Sequence, residues 1–132
     1  MRVFVLFLVG LAVGALCTVI LINTLNRGTA YPNAVMAVMG QQMKAMDRSI
    51  KQSRCAPTDL TPRLQTLRFV ANDIEASFED MQGDVQFGRY SSDLRAAAEA
   101  PLMTPPASCA AASAALSRLD KACDACHRDY KN

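Results

Sequence analysis

Acidic residues are missing from the first 46 positions, histidine occurs once, aromatic residues make up only 6% of the chain, and no charge interrupts positions 3–22. Each shortage excludes something. Two of the 14 basic residues, Arg2 and Arg27, precede residue 31, which leaves 12 Lys/Arg against 12 Asp/Glu in residues 31–132. A formally neutral stretch with few aromatics has no electrostatic footprint for a phosphate backbone, which argues against nucleic acid as a partner. The lone histidine and the lack of any acid–base pair recognisable from spacing argue against an enzyme. No stretch sustains the period-two alternation of a half-buried strand. With 51% hydrophobic residues and no repeat or low-complexity tract, the chain is not a disordered, collagen-like or disulfide-dense sequence. Its 132 residues suffice for one small domain and one extra segment.

The extra segment is Val3–Ile22, 20 uncharged residues that would extend about 30 Å as a helix, the hydrocarbon thickness of a bilayer. A cleaved signal peptide usually has a shorter apolar core, of about 7–15 residues, so the length favours an uncleaved anchor over residues 1–22. The small residues Gly28-Thr29-Ala30 keep a cut before Tyr31 open. Cys17 follows a bulky Leu16 inside the apolar run and reads as a lipid-facing or packed residue. Asn23–Ala30 is polar, contains glycine and has no periodicity; it reads as a linker of at most about 26–29 Å.

Residues 31–132 are punctuated as helices. Tyr31-Pro32 places a proline where a helix starts, and Cys55-Ala56-Pro57 closes that segment. Thr61-Pro62 repeats the opening with Thr61 as the N-cap, and Gly83 and Gly88 bracket the next turn. Ser91 or Ser92 caps a shorter helix that stops near Pro101, and Thr104-Pro105-Pro106 opens the last one. Between these marks the apolar positions step by three and four. Met36, Met39, Met43, Met46 and Ile50 form the first stripe, and Leu60, Leu64, Leu67, Ala71, Ile74, Phe78 and Met81 the second. The third holds Phe87, Tyr90, Leu94 and Ala97 or Ala98, and the last Cys109, Ala112, Leu116, Leu119, Cys123, Cys126 and Tyr130. Short connections pack successive helices antiparallel, so the expected fold is all-α: an up-down-up-down four-helix bundle over residues 31–132, preceded by one transmembrane helix. A bundle of this size with Ala- and Met-rich stripes buries little apolar surface and calls for a staple or a bound group.

Cys123-Asp124-Ala125-Cys126-His127 supplies the chemistry. Cys-x-x-Cys-His is the attachment pattern of c-type haem. Two thiols one helical turn apart can each add to a vinyl group on one porphyrin edge, and the adjacent imidazole then reaches the iron as proximal ligand. Random placement of five cysteines and one histidine gives both offsets on the order of once in a thousand chains. A dithiol redox pair normally opens a helix after a strand, whereas this pair lies near a helix end. A zinc site needs four ligands, and Cys123, Cys126 and His127 are three. One covalent haem c is therefore the expected cofactor. Its attachment to thiols takes place outside the cytoplasm, which puts residues 31–132 on the periplasmic side of an inner membrane and Arg2 in the cytoplasm.

Two stretches carry a family resemblance. The closing LDKACDACHRDYKN and the Met-rich YPNAVMAVMGQQMKAM resemble the cytochrome c′ family, over roughly residues 31–132. The resemblance implies a four-helix domain with haem on the last helix and a first-helix residue over its distal face. That position corresponds to Met36. Members with methionine there resemble low-spin electron carriers; members with a non-ligating apolar residue are five-coordinate and bind NO or CO. Where the family often has an arginine four residues earlier this chain has Pro32, and Lys131 stands where a basic residue often neighbours the proximal histidine.

With Cys123 and Cys126 committed to thioethers, Cys55 and Cys109 remain as a disulfide pair in an oxidising compartment. They would meet at one pole of an up-down-up-down bundle. Met36 lies 19 residues before Cys55, about 28 Å along a helix, and His127 lies 18 after Cys109, about 27 Å. Both then finish level at the opposite pole. Methionines at helical spacing also serve as core filler, and Met39 and Met43 are the competing ligands one and two turns on. The sequence therefore predicts a membrane-tethered, periplasmic mono-haem cytochrome that carries single electrons, with His127 and Met36 as axial ligands and membrane or periplasmic redox proteins as partners. The rival readings are a five-coordinate NO/CO-binding protein and a small accessory haem subunit of a respiratory or photosynthetic membrane complex. A homodimer stays open.

Overall fold

The computed structural model describes residues 2–131, with every side chain in that range except those of residues 25–29. It is all-helical, with no strand among the described residues. The α-helices are α1 (Arg2–Lys51), α2 (Pro57–Val70), α3 (Ile74–Ser77), α4 (Val85–Met103) and α5 (Cys109–Tyr130), with 3-10 turns at Ala71–Asp73 and Glu79–Met81. The chain divides into two compact units, Met1–Asn33 and Ala34–Asn132.

In the first unit, Arg2–Thr24 is a 23-residue helical stretch long and apolar enough to cross a membrane, and none of it is buried within the fold. At about 1.5 Å per residue it extends about 34 Å. Its two hydroxyls are satisfied internally: Thr18 donates to the Gly14 carbonyl and Thr24 to that of Ile20, each at 2.8 Å. Cys17 is exposed on this helix. The linker expected at 23–30 is helical backbone, and Pro32 lies inside α1, not at a helix start. Leu25, Arg27 and Ala30 are good helix formers, and Pro32 withholds only one backbone donor, so local preference does not break the helix there. The side chains of Arg27 and Thr29, which bear on orientation and cleavage, lie outside the described residues.

The second unit holds the core. Val35, Met39 and Met46 of α1 are buried with Leu60, Leu64 and Leu67 of α2, Ala71, Ile74, Phe87, Leu94 and Ala98, and Ala112 and Leu119 of α5. Helix α2 begins at Pro57, after an extended Ala56, and so earlier than the Thr61-Pro62 signal suggested. Pro57 meets no penalty at the first position. Pro62 then lies within the helix, where a missing N–H and a crowded ring cost about 3 kcal/mol. The extra turn buries Leu60 to 4% exposure, a gain of about 1.5–3 kcal/mol of similar size. The second stripe stays buried on one side through Ile74 even though its helix breaks into α2, α3 and two 3-10 turns.

Helix α4 starts at Val85, six residues before the serines expected to cap it. Gly83 takes φ +87°, and Asp84 next to it accepts from the N–H groups of Gln86 and Phe87 at 2.8 and 3.1 Å. That is a full N-cap, and a carboxylate there also suits the positive end of the helix. The helix runs past Pro101 to Met103. Helix α5 is capped by Ser108, whose hydroxyl accepts from Ala111 N–H at 3.2 Å, so the Thr104-Pro105-Pro106 stretch precedes it as a loop. Among the helix pairs, α4 packs most closely on α5 and then on α2. Arg68–Glu99 and Arg95–Glu75 pairs, both 2.7 Å, tie α4 to α2 and α3. Cys55, just past α1, and Cys109, the first residue of α5, form the expected disulfide, with Cα atoms 5.2 Å apart.

Candidate functional site

Helix α5 delivers the Cys-x-x-Cys-His residues in its last two turns. The spacing of three puts Cys123 and Cys126 on one face, one turn apart, and both are half-buried free thiols packed against the core. His127 is exposed at their side. What fixes this end of α5 is its contact with α4. Tyr130 donates its hydroxyl to Asp84 at 2.7 Å, so the same carboxylate that caps α4 also holds the last turn of α5. Tyr90 donates to Asp129 at 2.5 Å. Around these bonds Phe78, Phe87 and Tyr130 meet edge to face at 5.6 and 5.2 Å, with Tyr90 against Tyr130 at 6.2 Å.

Between this α4–α5 wall and α1 lies a cavity of about 300 Å³. Met36, Met39, Gly40, Met43 and Lys44 line it from α1, and Cys123, Cys126 and His127 from α5. The volume falls at the lower end of the range for small-molecule and cofactor sites, about 300–1,000 Å³. Met36, Cys123, Cys126 and His127, the four residues singled out from the sequence, thus border one space. Met39 and Met43 border it too, so all three candidate methionines are present.

The cavity's chemistry separates the readings of the two thiols. Burial pushes the Cys123 thiol up to about 11, with Asp120, Asp124 and Cys126 adding to the effect. Cys126 is raised as well, by burial first and Asp129 second. A dithiol catalyst needs the opposite, a thiolate stabilised at a helix N-terminus or beside a cation. Among the described residues no three His, Cys, Asp or Glu side chains converge to hold a metal ion directly, which leaves a zinc site without its ligand set.

Three observations fit a flat, mostly apolar group with a few polar atoms. Met36, Met39, Met43, Ile74, Leu94 and Ala122 supply apolar surface, with Lys44, Asp120 and Asp124 also on the lining. A Cβ added to Gly40, on the α1 wall, would meet nothing within 4 Å, so there is open space beside that backbone. Ser91 borders the cavity from α4, is only 2% exposed, and its hydroxyl has no hydrogen-bond partner.

Ser91, Gly40, Lys44 and Ile74 were not singled out for the site by the sequence reading. Ser91 was read as a helix cap, although Phe87, Ser91, Leu94 and Ala98 already step by four, three and four along the buried face of α4. Lys44 and Gly40 carry no chemical signature in sequence, and only the space next to them marks them. Comparison with protein-family models, with characterised proteins and with solved structures finds no match to this chain.

Proposed function

We propose that this chain is a membrane-tethered, periplasmic mono-haem c-type cytochrome that carries single electrons, built on an antiparallel four-helix bundle similar to that of the cytochrome c′ family. The observation that carries the reading is the grouping of Cys123, Cys126, His127 and Met36 around one cavity. Attached haem supplies reversible one-electron storage at its iron. Cys123 and Cys126 anchor its edge as thioethers, and their half-buried position keeps that edge out of water. His127 presents its imidazole from the same turn as Cys126. Met36 presents a thioether from the opposite wall, a ligand pairing that raises the potential and closes the iron to exogenous ligands. The Tyr130–Asp84 and Tyr90–Asp129 bonds hold the attachment turn in place. The Arg2–Thr24 helix keeps the carrier at the inner membrane, close to membrane-bound redox partners.

Intact mass and visible absorption of the full chain, produced in a host that matures c-type cytochromes, test the reading. One haem adduct and a low-spin spectrum unaltered by CO are expected; colourless protein of unmodified mass overturns it. A second reading rests on Met36 packing against the hydrophobic core beside Met39 and Met43, as filler does. In that case the iron is five-coordinate and binds NO or CO, and the same reduced-state spectrum shifts on addition of CO.

A further inference from the structure

Sulfur is concentrated around the cavity. The chain has seven methionines and five cysteines. Met36, Met39 and Met43 border the cavity from α1, and Cys123 and Cys126 border it from α5. Cys55 and Cys109 are joined in the disulfide and Cys17 lies on the anchor helix, so Cys123 and Cys126 are the free thiols of the second unit. Side chains bearing five sulfur atoms thus line a space of about 300 Å³. The haem reading uses three of them and leaves two thioethers over. Core filling alone does not account for the rest, because the same stretch of α1 opens space at Gly40, where a Cβ would meet nothing within 4 Å.

Thiols and thioethers together select a soft metal ion. Zinc takes thiolate, imidazole and carboxylate in a tetrahedral set, which no group of described residues assembles. Cu(I) accepts thiolate and thioether alike and is satisfied by few ligands. The spacing of three on α5 puts the Cys123 and Cys126 side chains one turn apart, with Cβ atoms about 5–6 Å from each other, near enough for both sulfurs to reach one ion. Their proximity also shows in the Cys123 thiol, which Cys126 helps to push up. The charges on the lining suit a cation. Asp120 and Asp124 outnumber Lys44 while both thiols are protonated. Burial keeps them so until a metal ion displaces the protons. Two Cu–S bonds then form as two S–H bonds break, both protons leave to solvent, and no electron is transferred. The resulting dithiolate site carries one negative charge, which Lys44 on the same lining offsets.

We propose that the haem-free chain binds one Cu(I) ion in this cavity, through the Cys123 and Cys126 thiolates with a methionine thioether of α1 as third ligand. The inference goes beyond the haem reading and does not rest on it. The same two sulfurs cannot serve copper as thiolates and haem as thioethers, so the two occupants exclude each other, and Cu(I) bound first blocks haem attachment.

The test uses the full chain in detergent, made in a host without c-type maturation and handled without oxygen or thiol reductants so that the disulfide stays closed. Cu(I) is supplied as its acetonitrile complex and challenged with bathocuproine disulfonate. The parent and Cys17→Ser are expected to retain one copper per chain, and X-ray absorption of the parent to show a shell of sulfur. Cys123→Ser/Cys126→Ser is expected to lose the ion. Met36→Leu/Met39→Leu/Met43→Leu is expected to release it at a lower competitor concentration, with the parent's helix content by circular dichroism. Loss of copper from the parent overturns the proposal, as does retention by the double-serine variant. A shell of nitrogen or oxygen overturns it even if the serine variant fails to fold, and unchanged release from the triple-leucine variant overturns the third ligand. The haem-attached chain is expected to bind no Cu(I) in the same assay; equal binding there overturns the copper site and leaves the cytochrome reading standing. Copper held by the parent, with no haem adduct on chain made in a maturing host, supports the copper site and overturns the cytochrome reading alone.

Discussion

The two walls of the cavity are built in different ways. The α4–α5 wall is fastened at the level of the cysteines by two tyrosine–carboxylate bonds, two edge-to-face ring contacts and an N-cap that shares its carboxylate with Tyr130. The α1 wall presents Met36, Met39 and Met43 around an open space at Gly40, and among the described residues its one side-chain bond to α2 is a 3.3 Å contact from Arg63 to Gln42. Thioether side chains are flexible and adapt to irregular gaps. One side is thus held in a defined geometry, as the proposed covalent attachment at two points would demand, and the other can adjust to what occupies the space. For the cytochrome we propose, the difference means that a fixed wall would specify Cys123, Cys126 and His127 individually, while a soft wall would offer three neighbouring methionines as the second ligand.

The sharpest way to break the comparison is to remove the fixed wall's chemistry. Cys123→Ala/Cys126→Ala is expected to abolish covalent haem altogether, measured as loss of haem staining on denaturing gels. Retained stain would mean attachment elsewhere. Next in size is the soft wall. Met36→Ala is expected to convert low-spin iron to high-spin and to admit CO, seen in the reduced absorption spectrum. If Met39→Ala or Met43→Ala does this instead, the ligand is one or two turns further along α1 and the wall is more adjustable than the Met36 assignment implies.

The same contrast explains what could be read from the chain. The α5 stripe was legible because burial follows the helical period, and the spacing of Cys123, Cys126 and His127 already placed them together near the end of that helix. The apolar stripes of α1 and α2 were legible because burial follows the helical period; Leu60, Leu64 and Leu67 are all buried. Helix boundaries were not, because local signals for them are easily overridden. Pro32 and Pro62 signal helix starts in sequence, but a proline costs a helix only one bond and a clash, which neighbouring propensity or a buried leucine offsets. Serine favours caps, which points to Ser91 or Ser92 as the start of the next helix. Asp84, next to a glycine in the left-handed region, fills that role seven residues earlier and leaves Ser91 in the interior. No local rule identifies a buried hydroxyl without a hydrogen-bond partner.

At the opposite end of α5 from the attachment turn, the disulfide sets how far the soft wall can drift. Cys55 and Cys109 are 54 residues apart, and closing a loop of that length stabilises the fold by about 4 kcal/mol in the chain-entropy treatment. The Cys55→Ser/Cys109→Ser variant is therefore expected to lose about that much in urea unfolding. Its low-spin fraction is expected to fall as well, because α1 is no longer tied to the start of α5. A variant that unfolds earlier but keeps its spin state would show that bound haem alone holds Met36 in place.

The smallest effect, and the most selective for the fixed wall, is on pH dependence. The Tyr130 hydroxyl, followed by the Phe87 N–H, holds the Asp84 carboxyl below its ordinary value of 3.8. Because the folded state binds this proton less readily than the unfolded chain, the contribution is present above that value and disappears as pH falls through the lower, folded one. Tyr130 shows the mirror case: its hydrogen bond to Asp84 raises it from 10.0 to about 12. Its contribution is complete below pH 10 and is lost as pH rises towards about 12. Tyr130→Phe removes the bond but keeps the ring packed on Phe87. Thermal unfolding across the pH range should then show a smaller midpoint difference between parent and variant at both extremes than near neutrality. A constant difference throughout would mean that the ring contacts, and not the shared carboxylate, fasten the end of α5 to α4.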